Sequence, residues 1–318
     1  MCEKMPLTCL YGAHGAENWP NLVHLEDAVL SEIASGSHQI LAVLEMVDIT
    51  TQESDKILAD TKVGISPLAA TYSNIGLIKR NQDLKKHLFR ALDTSEGVYW
   101  HCALDILDRV NEAFPGRIQV LHENCDNLIE VGAHLEWVSE MLSNYLECGI
   151  SGQFDIGVNY FVTMIEQDTE LHMQREKRIR ERIEKTINND GRIGAVIVKL
   201  GTMHTSFPDL LDKNTFQIKR IYMDGLPVFF SPADSIQRSL MRNPQRAYAL
   251  DDLYRTFLGA VYFDLLPEVT DSKAINDDSL IANLFARSFK DMKDIRKFEA
   301  DVRRHGWQSS IAARNFWW

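Results

Sequence analysis

The sequence predicts an α/β fold: a mainly parallel central sheet flanked by helices, with a helical C-terminal elaboration. Three observations predict it. Short apolar runs rich in Val, Ile and Leu recur at 7–12, 38–46, 117–124 and 192–199, and each reads as a buried parallel strand. Helical patterns alternate with these runs, which is how strand–helix–strand units are built. From about residue 233 the apolar spacing is mainly helical. No internal repeat, low-complexity run or linker interrupts the chain. Its 318 residues therefore read as a single α/β domain, with a core over about 7–232 and the helical elaboration over about 233–318.

The elements follow in order. "LTCLYG" is a short apolar strand stopped by Gly12. In "AENWPNLVHLEDAVLSEIASG", Pro20 suits a first helical turn, Leu22, Leu25, Val29 and Ile33 form one stripe, and Gly36 closes the helix. "HQILAVLEM" is the second strand and ends on Glu45; this order favours a parallel pair with a right-handed crossover. "DTSEGVYWHCALDILDRVNEAFPG" opens with Asp93 and Glu96 in capping-box order and ends at Pro115-Gly116. "RIQVLHEN" is a third strand, finishing on His122 and Glu123. Two helical patterns cover about 125–147 and 154–188, and "NNDG" stops the second. "RIGAVIVK" is the next strand and runs into "LGTMH". "FQIKRIYMDGLPVFFSP" has the pattern of a hairpin turning at Asp224-Gly225, and helix dominates from about Ser235. The terminal "WQSSIAARNFWW" reads as a helix docked by its aromatic side chains.

Composition narrows the function. With 45% hydrophobic and 25% charged residues the chain is an ordinary globular protein. A net charge of -11 argues against nucleic acid or an anionic membrane as the main partner. No stretch approaches the ~20 apolar residues of a membrane helix, and the first residues do not resemble a signal peptide. The five cysteines are odd in number, scattered and free of C-x-x-C spacing, which suits a reducing compartment and disfavours a cysteine zinc site. There is no phosphate loop, no dinucleotide fingerprint and no G-x-S-x-G elbow, so Ser206 near His204 is not a hydrolase-triad nucleophile.

In a parallel sheet the C-terminal strand ends share one edge, where open α/β folds bind ligands. The first strand leads to His14 and Glu17, the second ends on Glu45, and the last leads to His204; His122 and Glu123 add a weaker pair. Histidines and carboxylates there can supply an acid, a base or ligands to a metal, with a divalent cation compatible and its identity open. Taken singly, Glu45 reads equally as a helix-start carboxylate and His14 as a turn histidine. Their recurrence at successive strand ends argues for a site. The helix "HMQREKRIRERIEK" reads mostly as a solvated face with i,i+4 pairs such as Glu176 with Arg180. Arg175, however, shares a face with Ile179, Arg182 and Thr186, and the apolar Ile179 turns that face inward. His101 and Asp105, four apart, read as a surface pair.

The pieces "YGAHG", "VLEM", "REKRI" and "GTMH" together resemble the Tiki, ChaN and erythromycin-esterase superfamily over about Leu7 to His204. Two positions depart from its pattern: Gly12-Ala13 stand where "GE" is usual before the first histidine, and Glu176 replaces an Asp. The resemblance implies a hydrolase acting on an ester or amide, with a small-molecule or peptide substrate and a site of His14, Glu17, Glu45, Arg175 and His204. It implies His14 as base or metal ligand, Glu45 and Glu17 as its orienting groups, Arg175 as an oxyanion stabiliser and His204 as a second acid, base or ligand. Members include metal-dependent proteases, esterases and haem-associated lipoproteins, and some secreted effectors of plant-pathogenic bacteria resemble them. The alternatives are thus an effector acting on host proteins or a non-catalytic, haem-like ligand binder. The expected location is cytoplasmic, or a host cell reached without a signal peptide.

Overall fold

The computed structural model describes residues 4–14, 16–47, 95–123, 128–223, 230–266 and 272–314. The chain divides into two compact units. One comprises Met1–His134, Gln174–Leu226 and Thr270–Ser272; the other comprises Leu135–Met173, Pro227–Val269 and Lys273–Trp318.

The first unit is built on five parallel strands: β1 (Met5–Tyr11), β2 (Gln39–Val47), β3 (Ile118–Glu123), β4 (Ile193–Leu200) and β5 (Phe216–Tyr222), in the order β3-β2-β4-β1-β5. The α/β class and parallel sheet are as the sequence predicts. Two details differ. β1 and β2 are parallel but not adjacent, because β4 lies between them, with Lys199 opposite both Leu10 and Leu44. β4 is buried at nearly every position, and a strand with no polar face belongs in the centre of a sheet. The segment expected to open a hairpin forms β5, which pairs parallel with β1 as a half-exposed edge. The expected turn at Asp224-Gly225 lies outside the described residues, as does Asp93 of the expected capping box.

Strand alternation sends residues to two cores. Ile40, Ala42, Leu44 and Ile197 pack with Leu25 and Val29 of α1 (Val23–Ala34) and with Trp100, Leu104 and Leu107 of α2 (Ser95–Ala113). Leu41, Val43, Val196 and Val198 face the other way, onto Ile179 and Ile183. Pro20 sits in a 3-10 segment, Ala16–Leu22, ahead of α1, and Gly36 ends that helix with φ +95°, a conformation open to glycine.

The second unit is helical. It draws on α3 (Leu128–Ser151), the first part of α4 (Phe154–Asn189), α5 (Pro232–Arg242), α6 (Leu250–Asp264), α7 (Ser272–Arg287), α8 (Met292–His305) and α9 (Trp307–Ala313). α5 starts slightly ahead of Ser235 because Pro232 suits its first turn and the Ser231 hydroxyl accepts the Asp234 N–H at 3.1 Å. The core is aromatic: Phe154, Phe161, Phe257, Phe285, Phe298 and Trp307. Trp307 and Ile311 are buried in it, as the expected docking requires, while Phe316, Trp317 and Trp318 lie outside the described residues.

Candidate functional site

The strand order positions the site. β3, β2, β4 and β1 are consecutive neighbours, so their C-terminal ends stand side by side. Glu123 ends β3, Glu45 lies near the end of β2, Gly201 and His204 follow β4, and His14 follows β1. A 3-10 turn over Thr202–His204, closed by the His204 N–H to the Gly201 carbonyl at 3.2 Å, folds His204 back into the protein.

Glu45 is the centre of the cluster. Its Oε1 accepts from Arg175 Nη2 and from His204 Nε2, both at 3.0 Å. Its Oε2 accepts the Gly201 N–H and faces His14 Nε2 at 3.8 Å. Gly201 has ordinary backbone angles, φ -64° and ψ 161°, so space explains the glycine there. A Cβ at this position would lie 3.2 Å from Glu45 Oε2 and 3.3 Å from His14 Cε1.

Arg175 turns inward with Ile179, as helical spacing predicts, and its fork closes on Glu123 through two 2.7 Å bonds from Nε and Nη2. Glu176 corrects the sequence reading. The expected surface pair with Arg180 is not formed: Glu176 is buried, accepting from His204 Nδ1 at 3.2 Å and from the Ser206 hydroxyl at 3.0 and 3.1 Å. Arg180 instead meets Glu181 and Glu184 at 3.7 and 3.8 Å. Along a helix of alternating charges every i,i+4 pair looks alike; only the turn after β4 selects which carboxylate is covered.

Electrostatics follow from these contacts. Burial alone would lower the His204 pKa, but the Glu45 charge and the bonds from Glu176 and Glu45 raise it to about 9 against the opposing Arg175. His204 is thus an imidazolium at neutral pH, donating from both ring nitrogens. Burial alone would raise Glu45, yet His204, Arg175 and His14 hold it well below the usual carboxylate range. The site is a fixed lattice of charge, with Arg175 and His204 set among Glu45, Glu123 and Glu176.

His14 packs its ring against Trp100 and Tyr99 of α2, at centroid distances of 4.5 and 5.5 Å. The same two rings carry Lys199 Nζ, at 5.3 Å from the Tyr99 centroid and 5.7 Å from that of Trp100. Lys199 is fully buried and donates to the carbonyls of Gly12, at 3.2 Å, and Leu200, at 3.0 Å. It thereby ties the ends of β1 and β4 together beside His14. Lys199 stands outside the predicted site residues, although a lone lysine inside "IGAVIVKL" marks it in the sequence. Glu123, the weaker expectation at the end of β3, holds the Arg175 fork, and Ser206, outside the predicted site, donates to Glu176. Of the predicted site residues, His14, Glu45, Arg175 and His204 come together; the side chain of Glu17 lies outside the described residues, as does that of His101.

The carboxylates do not fit a metal centre. All six oxygens of Glu45, Glu123 and Glu176 accept bonds from Arg175, His204, Ser206 or the Gly201 N–H. Among the described residues no group of three or more His, Cys, Asp or Glu side chains is arranged to hold an ion, and no helix is long and apolar enough to cross a membrane. Comparison with family models, curated proteins and solved structures finds no match to this chain.

Proposed function

We propose that the strand-end cluster hydrolyses an ester or amide, the activity that the Tiki, ChaN and erythromycin-esterase resemblance implies. The observation that carries this reading is His14 Nε2 facing Glu45 Oε2 at 3.8 Å. Glu45 is held ionised by its cationic neighbours and held in place by the Gly201 N–H. A fixed carboxylate beside a histidine stabilises the imidazolium that forms when the ring takes a proton from the attacking water, a proton it then gives to the leaving alcohol or amine. The gap is longer than a hydrogen bond and closes with a sub-ångström shift of the ring, as such contacts tighten in substrate complexes.

In this reading the roles divide by what each group has left to offer. His14, partly exposed, is the general base. His204 has both nitrogens engaged and is a fixed cation that orients Glu45, a change from an acid/base role. Arg175, gripped by Glu123, adds the positive field that favours negative charge developing on a substrate oxygen. A small ester or peptide is the substrate class, and action inside a host cell rests on the same resemblance.

The test is hydrolysis of p-nitrophenyl acetate and of a fluorogenic peptide by the full chain. His14→Asn should lower kcat/KM by about 10²–10⁴-fold, the range of general-base catalysis, with its melting curve retained. Turnover that His14→Asn leaves unchanged would refute the assignment.

A further inference from the structure

We propose that the helical unit contains a second site, for a small phosphorylated molecule, formed by α5, α6 and α7. These helices surround a cavity of about 330 Å³, a size suited to a small ligand. Two of its lining residues, Pro232 and Ala286, meet Gly259 of α6 so closely that a Cβ there would lie 2.8 Å from Pro232 Cγ and 2.9 Å from Ala286 Cβ. Pro232, Ile236 and Ala286 supply an apolar wall.

The polar lining is basic in a chain of net charge -11: Arg246, Arg255 and Arg287 face one carboxylate, Asp252. Arg255 is engaged, donating to Asp252 Oδ1 at 2.9 Å and to the Phe289 carbonyl at 2.9 Å. Arg246 and Arg287 pair with no carboxylate among the described residues. Both guanidiniums are open to solvent at the cavity mouth, and Arg246 is tethered there. Its Nη1 donates to Ser239 Oγ at 2.6 Å and its guanidinium lies 5.1 Å from the Tyr248 ring centroid. Ser239, as acceptor, retains its own hydrogen to donate.

Two guanidiniums on different elements and a hydroxyl donor at one cavity match a tetrahedral oxyanion with several acceptor oxygens better than a planar carboxylate, which one fork satisfies. The apolar wall then seats the organic part of a phosphate ester.

Calorimetry on the full chain at constant ionic strength tests this, with phenyl phosphate, inorganic phosphate, sodium chloride and vesicles of anionic phospholipid as probes. Phenyl phosphate should bind one-to-one, more tightly than inorganic phosphate, and chloride should give no saturable heat. Arg246→Gln and Arg287→Gln should each weaken phenyl phosphate by about tenfold or more, the scale of a lost charge-assisted bond. Arg304→Gln, an exposed arginine on α8, should leave it unchanged. Melting curves identify folded variants, and Arg246→Lys, which keeps the charge without the fork, should bind with intermediate strength. The proposal is overturned if phenyl phosphate shows no saturable binding up to roughly 10 mM, far weaker than a functional site. It is equally overturned if both glutamine variants bind as the parent does, or if only anionic phospholipid vesicles are bound.

Discussion

His204 should titrate near pH 9 in the folded chain, and its titration should set an alkaline limit on stability. Unfolded, the ring has an ordinary value of 6.5; folded, burial pulls it down, but Glu45 and Glu176 prevail and it rises to about 9. A group whose folded value is raised contributes fully below its unfolded value and loses that contribution as pH climbs through the folded one. The window is therefore about pH 6.5 to 9. A shift of this size corresponds to on the order of 3 kcal/mol. For domains of 150–250 residues each kcal/mol moves Tm by roughly 2–4 °C, so Tm should fall by roughly 6–12 °C between pH 6 and 10. Glu45, held low, acts in the opposite sense: its contribution is present above the ordinary carboxylate range and is lost as pH falls. The assay is an NMR titration of the histidine ring alongside melting curves across that range. Glu176→Gln removes one of the two carboxylates, so it should lower the ring midpoint and shrink the alkaline loss. A His204 midpoint at or below about 6.5, the value of an unperturbed histidine, would refute the charge lattice.

Four further substitutions follow from the geometry. Arg175→Lys keeps the charge but cannot hold both oxygens of Glu123 and Glu45 at once, so it should cost about 1–3 kcal/mol and reduce hydrolysis, while Arg180→Lys should stay within about 0.5 kcal/mol. Equal tolerance of the two in denaturant melts would mean that Arg175 does not face inward. Gly201→Ala places a methyl against Glu45 and His14 and should cost about 1–3 kcal/mol as well as disturbing the His14 ring signals; an unaltered histidine spectrum would contradict the close approach. Phe257→Ala removes a ring that meets Phe154 at 5.9 Å and Tyr145 and Phe161 at 6.2 Å, and should cost about 3–5 kcal/mol in urea unfolding; a loss below about 1 kcal/mol would place Phe257 outside the helical core.

Local patterns carried β1, β2 and β4 because a strand buried on both faces leaves a nearly unbroken apolar run, and the half-buried edge strand β3 through its short run of Ile118, Val120 and Leu121. They also carried Glu45, His14 and His204, because a polar residue that ends such a run must emerge at the sheet edge. Arg175 was legible through its spacing from Ile179, a property of one helix. Beyond that, local pattern has no content. Glu176 and Glu181 stand in similar runs of charge, yet one is buried against His204 and the other is exposed, and the difference lies in which turn of chain covers the helix there. Lys199 looks like an intrusion into β4 until the carbonyls of Gly12 and Leu200 and the rings of α2 enclose it. The direction of β5 and the insertion of β4 between β1 and β2 depend on pairing between distant strands, and any apolar strand can pair with any other. That pairing put Glu123, Glu45 and His204 on adjacent strand ends and so made the site, because an ion pair needs its partners within about 4 Å and sequence spacing does not set that distance.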